Sequence, residues 1–213
     1  MTIKVLGRLS SANVQKVVWT LAELGVAYDH TAVGGKYGGN DTPEYLAMNP
    51  NGLVPTLRDG DLTLWESHAI VRYLAASYGE GRLFPADPRA RAIIDQWMDW
   101  VATTFQPAWL GVFALVVRTP VEKHDKAAIA KAVAVANRCF GMLDARLAET
   151  PFVSGAELGY ADIAAGVSLY RWTTMGIDAQ RFSHVEAWHA RLSEREAFRN
   201  SVNVDYEELR VRL

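Results

Sequence analysis

The residues with chemical capacity gather in three short stretches of the first seventy positions. "RLSSANVQKVVW" (8–19) sets two hydroxyls, Ser10 and Ser11, and the amide of Asn13 between an apolar run, "IKVL", and a pattern of helical period. "LWESHAI" (64–70) sets Glu66 and Ser67 at the start of another such pattern, and "NGLVPTL" (51–57) opens an apolar strand with Val54–Pro55. A helix N-terminus leaves backbone N–H groups unpaired and carries the positive end of the helix dipole, so it favours an anion. A hydroxyl at that point can donate a hydrogen bond to a thiolate or a carboxylate. Each stretch also has a plainer reading, and alone each favours it. Ser11 or Asn13 then only caps a helix, Glu66 and Ser67 form an ordinary acidic first turn, and Pro55 is a trans proline on an edge strand. A cis bond at Pro55 would instead turn the Val54 backbone outward, where an extended peptide can pair with it as an added strand. Taken together, two helix N-termini and a strand edge at the carboxyl side of a small sheet suit a short peptide with a thiol and an α-amino acid end. Glu66 would meet the ammonium and Ser67 the carboxylate.

The elements that must position these groups follow from local punctuation. "TIKVLG" reads as a strand and "NVQKVVWTLAELG" as a helix stopped by Gly25. "VAYDHTAV" is a second strand, and "TPEYLAMN" a short helix with Thr42 as N-cap and Pro43 at its first position. "VPTLRDGDLTLW" reads as a hairpin turning on Asp59-Gly60, and "ESHAIVRYLAASYG" as a third helix. The order is β-α-β-α-β-β-α. From Arg89 onward the segments 89–105, 122–149, 160–175 and 184–198 all have helical spacing, and five of the seven tryptophans fall in this half. The composition shift, with Pro85 and Pro88, marks a boundary near 79–88. The expected fold class is α/β plus all-α: a thioredoxin-like arrangement over 1–80 followed by an all-helical domain over 88–213.

Composition excludes several classes. With 22 basic and 24 acidic residues and no basic block, the chain lacks the footprint of a nucleic-acid partner. No apolar run is long enough for a membrane span or a signal segment. One cysteine, Cys139, cannot form an internal disulfide, which suits a reducing cytoplasm. It sits mid-helix beside Phe140 and reads as a buried hydrophobe. The five histidines are scattered, His184 and His189 stand five apart, and no metal site is expected. Trp97 and Trp100 read as core. Phe105, Trp109 and Phe113 form a stripe that either lines an apolar substrate pocket or packs in a core or dimer interface.

The three stretches resemble the cytosolic glutathione transferases, in particular bacterial serine-type members of the theta-like or nu-like kind. The likeness covers nearly the whole chain. It is strongest in "SSANVQKVVWTLAELGVAYD", in "GGKYGGNDTPEYLAMNPNGLVPTLRDGDLTLWESHAIVRYLA" and in "ELGYADIAAGVSLYRW". It implies a thioredoxin-like domain and a helical one, a cis peptide at Pro55, glutathione as co-substrate, a small hydrophobic electrophile and a homodimer. By this resemblance Ser11 is the thiol-activating hydroxyl, with Ser10 its neighbouring competitor, and Asn13 is a second polar contact to the sulfur. Val54 would pair with the cysteinyl part, Glu66 and Ser67 would hold the γ-glutamyl end, and Lys36 would meet the glycyl carboxylate or stay a solvated loop lysine. Neither a tyrosine nor a cysteine stands at position 11, which removes the tyrosine-type and mixed-disulfide mechanisms. Gly159 replaces the usual hydroxyl before "xAD", so Asp162 is expected to close only half a capping box, as a folding residue. The implied function is glutathione transfer in detoxification. A glutathione-dependent disulfide reductase or peroxidase, and a non-catalytic glutathione-fold carrier, are the alternatives.

Overall fold

The computed structural model describes residues 2–79 and 81–211. It divides into two compact units, Met1–Phe84 with Ala197–Val204, and Pro85–Glu196 with Asp205–Leu213.

In the first unit, β1 (Ile3–Leu6), α1 (Ala12–Leu24), β2 (Tyr28–Thr31), α2 (Pro43–Met48), β3 (Thr56–Asp59), β4 (Leu62–Trp65) and α3 (Ser67–Tyr78) follow in the expected order. The sheet runs β2-β1-β3-β4, with β1 parallel to β2 and the other pairs antiparallel. The local signals hold. Gly25 ends α1 in the left-handed conformation at φ 69, which lets its N–H reach back to Leu21 and Ala22. Thr42 Oγ1 accepts from Tyr45 N–H at 3.3 Å, with Pro43 behind it. Asp59 also ties the hairpin to α3, because the hydroxyls of Tyr73 and Tyr78 both donate to its Oδ2.

α1 is buried on nearly every side. Val14, Val17, Val18 and Leu21 join Ile3, Val5 and Leu57 of the sheet and Ile70 and Leu74 of α3 in one apolar cluster. Trp19 meets Phe198 edge-on at 5.0 Å. That contact draws residues 197–204 into the first unit, so the helical domain is not the continuous 88–213 read from sequence.

The second unit contains α4 (Pro88–Trp100), α5 (Gln106–Val116), α6 (Lys126–Glu149), α7 (Tyr160–Gly166), α8 (Leu169–Thr174) and α9 (Ser183–Ser193), with α10 (Glu196–Val202) after it. Between α4 and α5 lies a π-helical turn, Val101–Phe105. Pro107 lacks the N–H that an unbroken helix needs there, and a widened turn accommodates the gap. α6 begins later than the pattern suggested, because Asp125 accepts from Ala127 and Ala128 and sets the cap. The segment 160–175 breaks at Ser168, whose hydroxyl donates to Ala165 O at 2.8 Å. Asp162 closes the half box on Gly159 N–H at 3.1 Å, and it also accepts from Val153 N, Ser154 N and Trp188 Nε1 at 2.7–3.0 Å. Cys139 is buried, and burial pushes its thiol up. Among the described residues no helix is long and apolar enough to cross a membrane, and no group of three or more His, Cys, Asp or Glu could hold a metal ion.

Candidate functional site

Strand register brings the three stretches to one end of the sheet. Leu6 pairs with Thr31 and with Thr56, and Thr56 pairs with Trp65. Residues just past that row therefore leave the sheet together: Gly7 and the loop to α1, the Val54–Pro55 segment, Glu66, and the turn after Thr31.

Two close approaches hold this end together. Gly7 has φ 152, and a Cβ there would meet Val14 Cγ2 at 2.5 Å and Val54 Cβ at 3.0 Å. Only glycine lets the β1–α1 loop lie this near Val54. The Val54–Pro55 bond is cis. Val54 itself precedes β3 and lies outside the ladder, so its backbone is not spent on a neighbouring strand of the sheet.

The start of α1 is fixed by backbone bonds. Ser11 N–H donates to Arg8 O at 3.0 Å, and Ser11 O accepts from Gln15 N–H at 2.9 Å. The buried Gln15 side chain donates to Leu9 O at 3.0 Å, which pins the loop from inside. Ser11 is the N-cap by backbone geometry, yet its side chain makes no capping bond. It is partly exposed, whereas Ser10 is buried at 5% exposure. The adjacent hydroxyls are thus distinguished by burial.

The start of α3 is unusual. Glu66, its N-cap, holds φ 69 and ψ 108, a positive φ that costs a non-glycine residue about 1–3 kcal/mol. Its side chain is exposed, while Ser67 is buried. Ser67 Oγ donates to Asn13 Oδ1 at 3.4 Å, and Lys16 Nζ donates to the same oxygen at 3.1 Å. Lys16 Nζ also lies 2.8 Å from His68 Nε2. Burial pushes the Lys16 ammonium down to about 7, against the pull of Glu66. The Ser67 hydroxyl is engaged with Asn13, and the Ser67 backbone N–H at the start of α3 can meet a ligand carboxylate. Backbone N–H groups of the first turn of α3 face the same end.

Lys36 stands exposed on the short turn Gly35–Tyr37, its ammonium 5.1 Å from the centre of the Tyr37 ring. The Arg8 side chain lies against Gly34 and Gly35, where an added Cβ would come within 3.1–3.2 Å of it. A second cation thus reaches this turn. Sequence reading passed over Arg8, Gln15, Lys16 and His68. The available signal was the polar pair Gln15-Lys16 inside a helix otherwise apolar on most faces.

The stripe of Phe105, Trp109 and Phe113 is not a pocket wall. All three are buried at 0–1% exposure. Phe105 stacks on Trp100 and meets Phe140 edge-on, Trp109 meets Phe113 edge-on, and Phe113 meets Tyr206. After the π turn, the i, i+4, i+8 face points into the core of the helical unit. A cavity of about 320 Å³ in that unit is lined instead by residues such as Phe140, Trp172, Phe182 and His189.

Two helix N-termini, a free strand edge, one exposed carboxylate and two nearby cations can hold a short zwitterionic peptide in extended form. The family model of the glutathione S-transferase N-terminal domain matches residues 1–76, and that of the glutathione S-transferase C-terminal domain matches residues 126–191. Glutathione S-transferase GstB of Escherichia coli is 43% identical over 204 residues, covering 95% of this chain and 98% of that protein. The theta class glutathione S-transferase of Xanthomonas axonopodis pv. citri, solved with glutathione bound, superposes with a TM-score of 0.92 at 46% identity, covering 96% of this chain and 99% of that one. Poplar glutathione transferase F1 superposes at 0.84 with 28% identity, covering 94% and 96%. With both domain models matched and a relative of this identity along nearly its full length, the chain belongs to the glutathione S-transferase family.

Proposed function

We propose that this enzyme binds glutathione at the end of the sheet described above and that the Ser11 hydroxyl donates a hydrogen bond to its sulfur. The observation that carries this reading is the Ser11 side chain, partly exposed at the N-cap of α1 and not used for capping. A free thiol titrates near 8.5, and lowering it by about two units takes about 2.7 kcal/mol. A hydrogen bond to a charged acceptor contributes about 1.5–3 kcal/mol and a helix N-terminus about 0.3–1 kcal/mol, which together suffice. Ser11 keeps its proton, and the thiol proton leaves to solvent. Asn13 adds a second polar contact. The Val54 backbone pairs with the cysteinyl part, Glu66 and Ser67 hold the γ-glutamyl end, and Lys36 meets the glycyl carboxylate. The bound ligand in the Xanthomonas relative supports glutathione as the co-substrate. The thiolate attacks a small hydrophobic electrophile. In this reading residues 1–80 carry the glutathione site, the helical unit supplies the electrophile's surface, and the enzyme works as a cytoplasmic homodimer.

Conjugation of an aryl halide, measured beside disulfide and hydroperoxide reduction, tests the reaction. Ser11→Ala should lower kcat/KM for conjugation by about tenfold or more, while Ser10→Ala stays within about twofold. Full conjugating activity in Ser11→Ala would remove the proposed role. Disulfide or peroxide turnover far above conjugation in the native enzyme would move the function to a reductase or peroxidase.

A further inference from the structure

A lysine without exposed surface is costly to keep charged. Lys16 has 0% exposure, yet its Nζ is placed between two helix starts: 3.1 Å from Asn13 Oδ1 on α1 and 2.8 Å from His68 Nε2 on α3. Two donors, Lys16 Nζ and Ser67 Oγ, converge on Asn13 Oδ1. They fix which end of the amide is oxygen, and the Nδ2 end is turned away from both. Packing does not call for the charge. α1 and α3 already meet through Val14, Val17, Ile70 and Leu74, and an unbranched apolar side chain would fill the same volume.

We propose that Lys16 is a positioning residue of the thiol site: it fixes the Asn13 amide and ties it to Ser67, and its positive charge and the negative charge on a bound glutathione sulfur stabilise each other. The inference rests on the reading of the α1 N-terminus as the thiol site. The groups that bear on the Lys16 charge come from both helix starts. Glu66 attracts it, His68 Nε2 meets it directly, and Asn13 Oδ1 accepts from it. The sheet packs Ile3, Val5 and Leu57 against α1, and Phe198 of the C-terminal helix meets Trp19. Burial brings the ammonium to about 7, into the range where an activated thiol titrates. Two groups that interact are coupled reciprocally, so if the Lys16 ammonium acts on the sulfur each must report the other's charge.

The test follows the Lys16 Cε resonance against pH in the native full-length enzyme, with saturating glutathione or with S-methylglutathione, whose sulfur cannot ionise. A Lys16→Met sample assigns the signal. Glutathione should raise the Lys16 midpoint above the S-methylglutathione value by about half a unit or more, a shift of about threefold in the equilibrium. Equal midpoints with the two ligands overturn the proposal. In Lys16→Met the bound thiol should titrate higher, lowering the thiolate fraction on the acid side by about threefold. An unchanged thiol titration in this variant would likewise overturn the proposal. If Lys16→Met does not fold, the ligand comparison on the native enzyme decides. If Ser11→Ala leaves the bound-thiol titration unchanged, the Ser11 reading fails alone, and the Lys16 comparison still stands or falls on its own result.

Discussion

Ser67 Oγ donates to Asn13 Oδ1 at 3.4 Å, joining residues 54 apart in sequence and linking the first turns of α3 and α1. The two helix N-termini that would face a peptide ligand are therefore one hydrogen-bonded structure. With Lys16 on the same oxygen, Asn13 is the hub that both helices share.

Removing the hub should separate its two effects. Asn13→Ala unties Ser67 and takes one acceptor from Lys16. The acid limb of the kcat/KM profile should move up by about half a unit, and KM for glutathione should rise about threefold. A pH–rate series on the purified variant measures both. A profile that overlays the native one would show that Asn13 has no bearing on the thiol.

Lys16 should also mark the pH dependence of stability. Burial lowers its ammonium from 10.5 to about 7. A lysine whose folded value is depressed costs the native state stability. That cost is fully present below pH 7 and fades as pH rises towards 10.5, because between those values the unfolded chain binds the extra proton. The full cost is on the order of 5 kcal/mol. Lys16→Met should therefore compare best with the native enzyme at pH 6 and lose that relative advantage by pH 10, read from denaturant midpoints at each pH. A difference that does not vary with pH would mean that Lys16 titrates normally.

Asp162 should behave as a folding residue and nothing more. Its buried carboxylate accepts from three backbone N–H groups and from Trp188, holding residues 153–159 and α9 to the start of α7. Asp162→Ala strands these donors at a cost of about 3 kcal/mol, which for a chain of this size lowers Tm by roughly 8 °C. Glutathione affinity of the folded fraction should stay within about twofold. Calorimetry and a binding titration below the transition check both halves.

The sheet domain was legible because its punctuation is local. Gly25, Thr42-Pro43 and Asp59-Gly60 each stop or start an element through their own backbone preferences. The helical half was less so. Pro107 forces its π turn through a missing N–H, and Ser168 breaks a helix through a bond to its own backbone neighbour. Neither disturbs the apolar period on which the sequence reading relied. The membership of residues 197–204 depends on Phe198 finding Trp19, a contact no local pattern announces. At the site, the residue types were visible and their commitments were not. Which serine is available depends on burial, and Lys16 looks like a surface lysine until α1 proves to be covered on nearly every side. The aromatic stripe left two readings open, pocket wall or packed core, because its spacing says only that three rings share a face, not what the face meets.

The proposed thiol activation rests on Ser11, and the bound thiol reports on it directly. Glutathione bound to the native enzyme, titrated by the ultraviolet absorbance of its thiolate, should ionise well below the free thiol. In Ser11→Ala the midpoint should return by about one unit or more towards the free value of about 8.5, while Ser10→Ala follows the native curve. A Ser11→Ala curve that matches the native one, or a shift that appears in Ser10→Ala instead, would contradict the assignment.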